Sequence, residues 1–260
     1  MPIITLTSDM GTNNHYPAVL KGVILSAFPK ATLVDITHEI PDYDIIQAAF
    51  AVKNSFFAFP AGTVHLLAVD PEETACPTGL VMKYREQFFI APDNGVLSLI
   101  CDGQVKEAVE LGPQAPVRED FPRSFRAARY YAPAAAKLAQ TGNVGSLGPL
   151  KALRDLRWGE PSYNGACLRG KIIHIDKFGN AVTNIHRDNF MQVKETRRFE
   201  IFIRNLRLKR VVNTYSDVGK ADALAIFGES HYLEIAMREA SAADLLGLKV
   251  HDMITIEFNA

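Results

Sequence analysis

Three aspartates stand where a carboxylate can do work. Asp9 follows the apolar run PIITLT and a serine, Asp70 closes TVHLLAV, and Asp93 follows QFFIAP. In an open parallel sheet, ligands collect beyond the carboxyl ends of the strands, because side chains and helix N-termini converge there. Any one of these aspartates also reads as a cap or turn residue; three at matching positions point to a cleft. Asp9 with Phe178 and Asn180 supplies what an unphosphorylated nucleoside requires: an acceptor for the ribose diol, an aromatic plate for the base and an amide for its edge. Phe178-Gly179-Asn180 is equally a turn sequence, so the residues alone leave this set open between a pocket and a hairpin.

Other chemistries are poorly served. There is no P-loop and no Gly-x-Gly-x-x-Gly after the first apolar run, so nothing is built to cradle phosphates. His15, His38, His65, His174, His186, His231 and His251 never pair at metal-ligand spacing, which predicts no metal site. His65 in an alternating strand and His38 just after one read as structural histidines. A Gly-x-Ser-x-Gly elbow is absent. Cys76, Cys101 and Cys167 are odd in number and scattered, which argues for reduced thiols rather than disulfides or zinc.

The elements that must position these residues alternate. PIITLT is a strand; Tyr16 to Phe28 repeats Val19, Leu20, Val23, Ile24 and Ala27 at helical spacing and stops at Pro29. ATLVDI, DIIQAAFAVKNSFFAF and TVHLLAV continue as strand, helix and strand; QFFIAPDNGVLSLI adds a strand, a turn and a helix start, and APAAAKLAQTG is a helix closed by Gly142. This order predicts an α/β domain over residues 1–160 with a largely parallel sheet covered by helices. LRWGEPSYNGACLRG is rich in Gly, Pro and polar residues and marks the junction. Residues 165–260 then read as successive strands, KIIHIDKFGNAVTNI, RRFEIFIRNLRLKRVV, ALAIFGESHYLEIAM and KVHDMITIEF, with one short helix near SAADLLGL: a small β-barrel or sandwich.

The 260 residues carry 28 basic and 29 acidic side chains, so no global positive field draws in nucleic acid or an anionic membrane. Neither a signal-like opening nor an apolar run of ~20 residues is present, and a cytoplasmic protein is expected.

TLTSDMGTNNHYPAVLKGVILSAFPKATLVDITHEI, FPAGTVHLLAVDP, APDNGVLS, YYAPAAAKLA, GKIIHIDKFGNAVTNI and YLEIAMREASAADLLGLKV, in this order over nearly the whole chain, resemble the adenosine-forming S-adenosylmethionine hydrolases and their relatives, the fluorinases and chlorinases. The resemblance implies an N-terminal α/β domain, a C-terminal β-barrel, a homotrimer with its sites between subunits, and no cofactor. It also implies water attack at the ribose C5′ carbon to give adenosine and methionine. By position, Asp9 matches the carboxylate on the ribose hydroxyls, Phe178 and Asn180 the residues around adenine, Asp176 the acid facing the methionine ammonium, and Tyr43 an aromatic wall for the sulfonium. Asn94, in APDNGVLS, is grouped with these substrate-binding positions.

Departures gather at the reacting centre. Asp70 keeps the first member of the family's Asp, Arg and His set, but Pro77 stands at the Arg position and Arg126 at the His position. At the amino-acid end Asn14 replaces an Asp, and Gly228-Glu229-Ser230-His231 replaces Asn-Ser-Ser-Gly or Asn-Ser-Arg-Gly. Glu229 would repel a methionine carboxylate, and Ser230 remains a binding candidate. Arginine cannot act as a base, so an active hydrolase would use Asp70, with Arg126 keeping it charged and orienting water. The alternatives are a non-catalytic binder of S-adenosylmethionine or adenosine, and an enzyme on the same scaffold with a changed substrate. Halide transfer is disfavoured, because Ala127 has no hydroxyl and Glu72 and Glu73 oppose an anion. Arg126 also reads as a salt-bridge residue to those glutamates.

Overall fold

The computed structural model describes residues 2–70, 79–112 and 115–259. Two compact units divide at Arg157/Trp158.

The first unit runs β1 (Ile3–Ser8), α1 (Tyr16–Ala27), β2 (Thr32–Thr37), α2 (Ile45–Lys53), β3 (Val64–Ala68), β4 (Leu80–Tyr84), β5 (Gln87–Ala91), α3 (Val96–Ile100), β6 (Glu107–Glu110), α4 (Ala132–Thr141) and β7 (Leu150–Ala152). Its sheet has the order β2-β1-β3-β5-β4-β6-β7. The first four strands are parallel. β4, β6 and β7 add on antiparallel, so the expected largely parallel sheet is parallel over only its first half. β4 and β5 form a hairpin through Arg85 and Glu86, both at positive φ (47° and 60°), with Tyr84 opposite Gln87. A two-residue turn of that geometry usually carries Asn-Gly, and without those residues β4 left no turn signal.

Helix ends follow local chemistry. Pro17 sits in the first turn of α1, where a missing N–H costs nothing, and Leu20, Val23 and Ile24 bury its inner face with Ile4 and Leu6. The Asp44 carboxylate caps α2 by accepting from Ile46 N and Gln47 N, both at 3.0 Å. The helix stops at Lys53, short of the predicted Phe59. There Asn54 Nδ2 and Ser55 Oγ donate back to the carbonyls of Phe50 and Ala51, and a 3-10 turn follows at Phe56–Ala58. A π-helical turn, Ala127–Tyr131, leads into α4, which closes on Gly142 in the left-handed conformation.

The second unit comprises β8 (Ser162–Tyr163), β9 (Cys167–Ile175), β10 (Ala181–His186), α5 (Arg187–Lys194), β11 (Arg198–Ile203), β12 (Leu206–Leu208), β13 (Ala223–Phe227), β14 (Tyr232–Met237), α6 (Ala242–Leu246) and β15 (Met253–Asn259). Seven strands follow the order β12-β11-β15-β9-β10-β14-β13, with β8 on β9; the register pairs are antiparallel throughout. A bridge from Val212, just past β12, to Ile226 on β13 draws the two ends of the sheet together into a nearly closed form. Its core is Leu168, Ile185, Phe190, Ile201, Ile235 and Ile256 with their neighbours. α5 was not anticipated: its eight residues bury only Phe190, and His186 caps it through a 3.2 Å bond from Asp188 N.

Candidate functional site

In the first unit the carboxyl ends of the parallel strands bring four predicted residues together. Asp9 directly follows β1, and its Oδ2 accepts from the backbone N–H groups of Tyr43 (3.2 Å) and Asp70 (3.3 Å). Tyr43 and Asp70 both lie at positive φ, 63° and 46°. That conformation costs a residue with a side chain about 1 kcal/mol or more, and a charged acceptor for each N–H offsets it. Asn94 Nδ2 donates to the carbonyls of Val69 (3.0 Å) and Asp70 (3.2 Å), while its Oδ1 accepts from Val96 N at the start of α3. The Asp70 backbone is thus held from both sides. Asp9 Oδ1 accepts no hydrogen bond from the described residues, and the Tyr43 ring is 70% exposed.

A second layer supports this cluster. Ser8 Oγ lies 2.7 Å from His38 Nδ1, and His38 Nε2 lies 3.2 Å from Asp35 Oδ1, off good hydrogen-bond geometry. Asp35 in turn pairs with Lys21 at 2.6 Å. Burial opposes ionisation of Asp35, but Lys21 and His38 outweigh it and hold its carboxyl below the usual range. Serine, histidine and aspartate in this order resemble a hydrolytic triad, yet Ser8 is 1% exposed and no substrate can reach its hydroxyl. The group acts as a clip. His38 O accepts from Gly11 N, Ser8 O accepts from Ile40 N, and Glu39 Oε1 takes both Thr12 N and Thr12 Oγ1. The loop carrying Asp9 and the loop carrying Tyr43 are therefore one assembly.

The remaining predictions in this unit divide. Asn14 closes its own loop, donating to Met10 O and accepting from Tyr16 N at 2.9 Å. Asp93 pairs with Lys151 on β7 at 3.0 Å, so it ties strands together instead of joining the Asp9 cluster. Arg126 is half-buried at the head of the π-helical turn, beside buried Ala127. Glu72, Glu73, Cys76 and Pro77 lie outside the described residues. His65 is a satisfied core histidine, as its strand position predicts: Nδ1 meets Thr5 Oγ1 at 2.7 Å and Nε2 meets Gln87 Oε1 at 2.6 Å. Burial lowers its pKa to about 4, with Gln87 opposing.

In the second unit Asp176, Phe178 and Asn180 share the β9–β10 turn. Asp176 Oδ1 accepts from Phe178 N (2.8 Å) and Asn180 N (2.9 Å), and Oδ2 accepts from Asn180 Nδ2 (2.9 Å). Gly179 at φ 81° allows the turn; a Cβ there would meet Ser241 Oγ at 2.0 Å. The arrangement leaves the Phe178 ring 75% exposed, a plate held by a rigid turn. Turn and recognition set coincide, so the two readings of this segment are compatible.

Two residues that the sequence reading missed extend the network. Tyr215 OH stands 3.5 Å from Asn180 Nδ2 and 3.4 Å from Glu234 Oε2, long contacts in a chain from Asp176 to Glu234. Burial pushes the Glu234 carboxyl up to about 7, reinforced by Asp176 and Glu229 and opposed by the Tyr215 hydroxyl. Burial also raises Tyr215 to about 12, with the charges of Glu234 and Asp176 adding to it. Glu234 fits because Gly228 lacks a side chain: a Cβ there would meet its Oε1 at 1.8 Å. The only local signal was a lone glutamate inside YLEIAM. Glu229 is exposed on the Gly228–His231 turn, and the buried Ser230 Oγ has no hydrogen-bond partner among the described residues.

Among the described residues no cluster of His, Cys, Asp or Glu could hold a metal, and no helix is long and apolar enough to cross a membrane. The fold defines a two-unit protein, an α/β unit with a carboxylate at the end of its first strand and an antiparallel-β unit with an exposed aromatic ring and an amide on one turn. Residues 4–148 match the N-terminal domain of the SAM hydroxide adenosyltransferases and residues 170–255 their C-terminal domain. The chain belongs to that family. It is 26% identical to an (R)-S-adenosyl-L-methionine hydrolase of Salinispora tropica, over 98% of this chain and 97% of that one. It is 28% identical to one of Thermus thermophilus, covering 93% and 94%. A fluorinase of an Actinoplanes species is 26% identical, covering 98% and 97%. A solved structure of an uncharacterized conserved protein from Thermotoga maritima superimposes with a TM-score of 0.86 at 28% identity, covering 98% and 99%.

Proposed function

We propose that the protein hydrolyses S-adenosyl-L-methionine to adenosine and methionine. The observation that carries this reading is Asp9: one carboxylate oxygen is spent on Tyr43 N and Asp70 N, and Oδ1, which accepts nothing from the described residues, is the acceptor we assign to a ribose diol. Water attacks C5′ in line with the departing sulfur. The O–C5′ bond forms as C5′–S breaks, the electron pair leaves on sulfur, and the attacking water gives up its proton to bulk solvent. Methionine departs as a neutral thioether, so expelling it requires no metal, cofactor or acid, and positioning supplies most of the acceleration.

In this reading Asp70 orients the water, and Arg126 keeps that carboxylate charged. Tyr43 walls the sulfonium, Asn94 fixes the Asp70 backbone, Phe178 and Asn180 take adenine, and Asp176 takes the ammonium group. Asn14, Glu229 and Ser230 belong to the amino-acid end. A cytoplasmic homotrimer with sites between subunits accompanies this assignment, which rests on family membership.

A second reading, an S-adenosylmethionine or adenosine binder without turnover, is favoured by Pro77 and Arg126 at the family's Arg and His positions. Incubation with S-adenosylmethionine, with adenosine followed by chromatography and binding by calorimetry, separates the two. Hydrolysis predicts adenosine release that Asp70→Asn lowers at least ~100-fold, the scale of a lost water-positioning group. Adenosine binding without release establishes the binder, and no binding of either compound overturns both.

A further inference from the structure

We propose that the second unit carries a separate site for a small phosphate- or sulfonate-bearing molecule with a flat aromatic body, in the cavity between α5, the start of β11 and residues 209–213. Charge that cancels over the whole chain is segregated here. Between Arg187 and Arg210 there are eight Lys or Arg against three acids, Asp188, Glu195 and Glu200. Arg187, Lys194, Lys209 and Arg210 line one cavity of about 450 Å³, within the range of ligand pockets.

Arg204, Lys220 and Arg207 of this unit have carboxylate partners: Asp252 at 2.8 Å, Glu239 at 2.8 Å and Glu200. The four cations at the cavity have none closer than 3.9 Å among the described residues. Lys209 reaches only to 3.9 Å from Glu200, a carboxylate that Arg207 already holds. Lys194 donates to a main-chain oxygen, that of Glu195, and lies over the Phe199 ring. Arg210 donates to the Asp217 carbonyl, and the Asp217 carboxylate is occupied by Asn213 N, Thr214 N and Thr214 Oγ1. Arg187 makes no side-chain hydrogen bond or ion pair among the described residues.

Beneath these cations lie the half-buried Phe199 and Phe227, backed by the core residue Phe190, which packs edge-on against Phe199 at 5.1 Å and tilted against Phe227 at 5.4 Å. Val211 and Val212 complete the apolar wall. A bare hydrated anion would leave that surface wet, whereas a flat ring covers it while its anionic group takes the planar donors of Arg187 and Arg210. The occupant is not the substrate proposed above: S-adenosylmethionine carries a sulfonium and an ammonium against one carboxylate, and this rim repels a net cation.

The test is calorimetry on the full chain with three probes: AMP, which has anion and ring; pyrophosphate, which has charge alone; and adenosine, which has the ring alone. AMP is expected to bind, pyrophosphate to compete more weakly, and both to weaken as salt is raised. The Arg187→Ala/Arg210→Ala double variant should lose AMP affinity at least ~10-fold while keeping adenosine affinity and its melting temperature. Lys209→Glu gives a second, independent reversal of charge with the same expected loss. AMP binding that is absent at millimolar concentration, unchanged in both variants, or abolished by saturating adenosine overturns the proposal. Pyrophosphate binding as tight as AMP overturns the aromatic part of it.

Discussion

Replacing Glu234 by glutamine should make the protein more stable at pH 8 and leave it nearly unchanged at pH 4.5. Glu234 is 8% exposed, and burial, then the charges of Asp176 and Glu229, raise its carboxyl from 4.5 to about 7 against the pull of the Tyr215 hydroxyl. In the unfolded chain the proton leaves near 4.5; in the fold it stays until about 7. The folded state therefore binds more protons across that window, and stability falls as pH rises from 4.5 to 7. Every tenfold difference in proton affinity between fold and unfolded chain is worth about 1.4 kcal/mol, so the loss amounts to roughly 2–3 kcal/mol once partial exposure is allowed for. Glutamine keeps the shape beside Gly228 and an acceptor for Tyr215 without the charge. The assay is urea unfolding read by Trp158, the single tryptophan, which opens the second unit. A stability difference between Glu234→Gln and wild type that is equal at pH 4.5 and pH 8 refutes the assignment.

Two further outcomes test the first unit. His38→Asn places an amide where Nδ1 met Ser8, whereas His38→Gln places one where Nε2 met Asp35; adenosine affinity measured by calorimetry should survive the first and fall ~5-fold in the second, the worth of one hydrogen bond. Equal losses would show that the Ser8 contact has no special part in holding the Asp9 loop. His65 has the opposite linkage to Glu234: its pKa is depressed to about 4, so the unfolded chain binds a proton below 6.5 that the fold refuses. Stability is lost as pH falls from 6.5 toward 4, by roughly 3 kcal/mol, and an imidazole midpoint at or above 6 by NMR titration contradicts this.

What the sequence disclosed, and what it hid, divides by physical range. Asp9, Asp70 and the turn at Asp176–Asn180 were legible because each follows a β-rich run, where chain direction alone decides which end a side chain occupies. β4 was hidden because its turn uses Arg85 and Glu86 in conformations that other hairpins give to asparagine and glycine. α5 was hidden because RDNFMQVK buries one ring and so has no apolar stripe. Asp93 looked equivalent to Asp9 and Asp70, but Lys151, more than fifty residues later, claims it. Glu234 had only the local sign of a lone glutamate inside YLEIAM and Tyr215 had none: their coupling depends on a missing Cβ at Gly228 and on strand pairing between β13 and β14.

The Asp9 cluster shows why recognition and architecture are hard to separate in this fold. One carboxylate oxygen secures two left-handed backbones, at Tyr43 and Asp70, that no glycine relieves. Asn94 then holds the Asp70 carbonyl from the opposite side, and the Ser8–His38 contact ties the Tyr43 loop to β1. The ends of β1, β2, β3 and β5 are thus tied to one another by polar bonds. Hydrogen bonds already made in the fold reduce the ordering that ligand binding must supply at these strand ends. The same bonding occupies only one Asp9 oxygen among the described residues, and in the proposed function the other accepts from a vicinal diol, a donor pair that a single carboxylate oxygen can take. The relief of strain at Tyr43 and Asp70 and the nucleoside binding proposed above would therefore share one carboxylate, Asp9 at the end of β1.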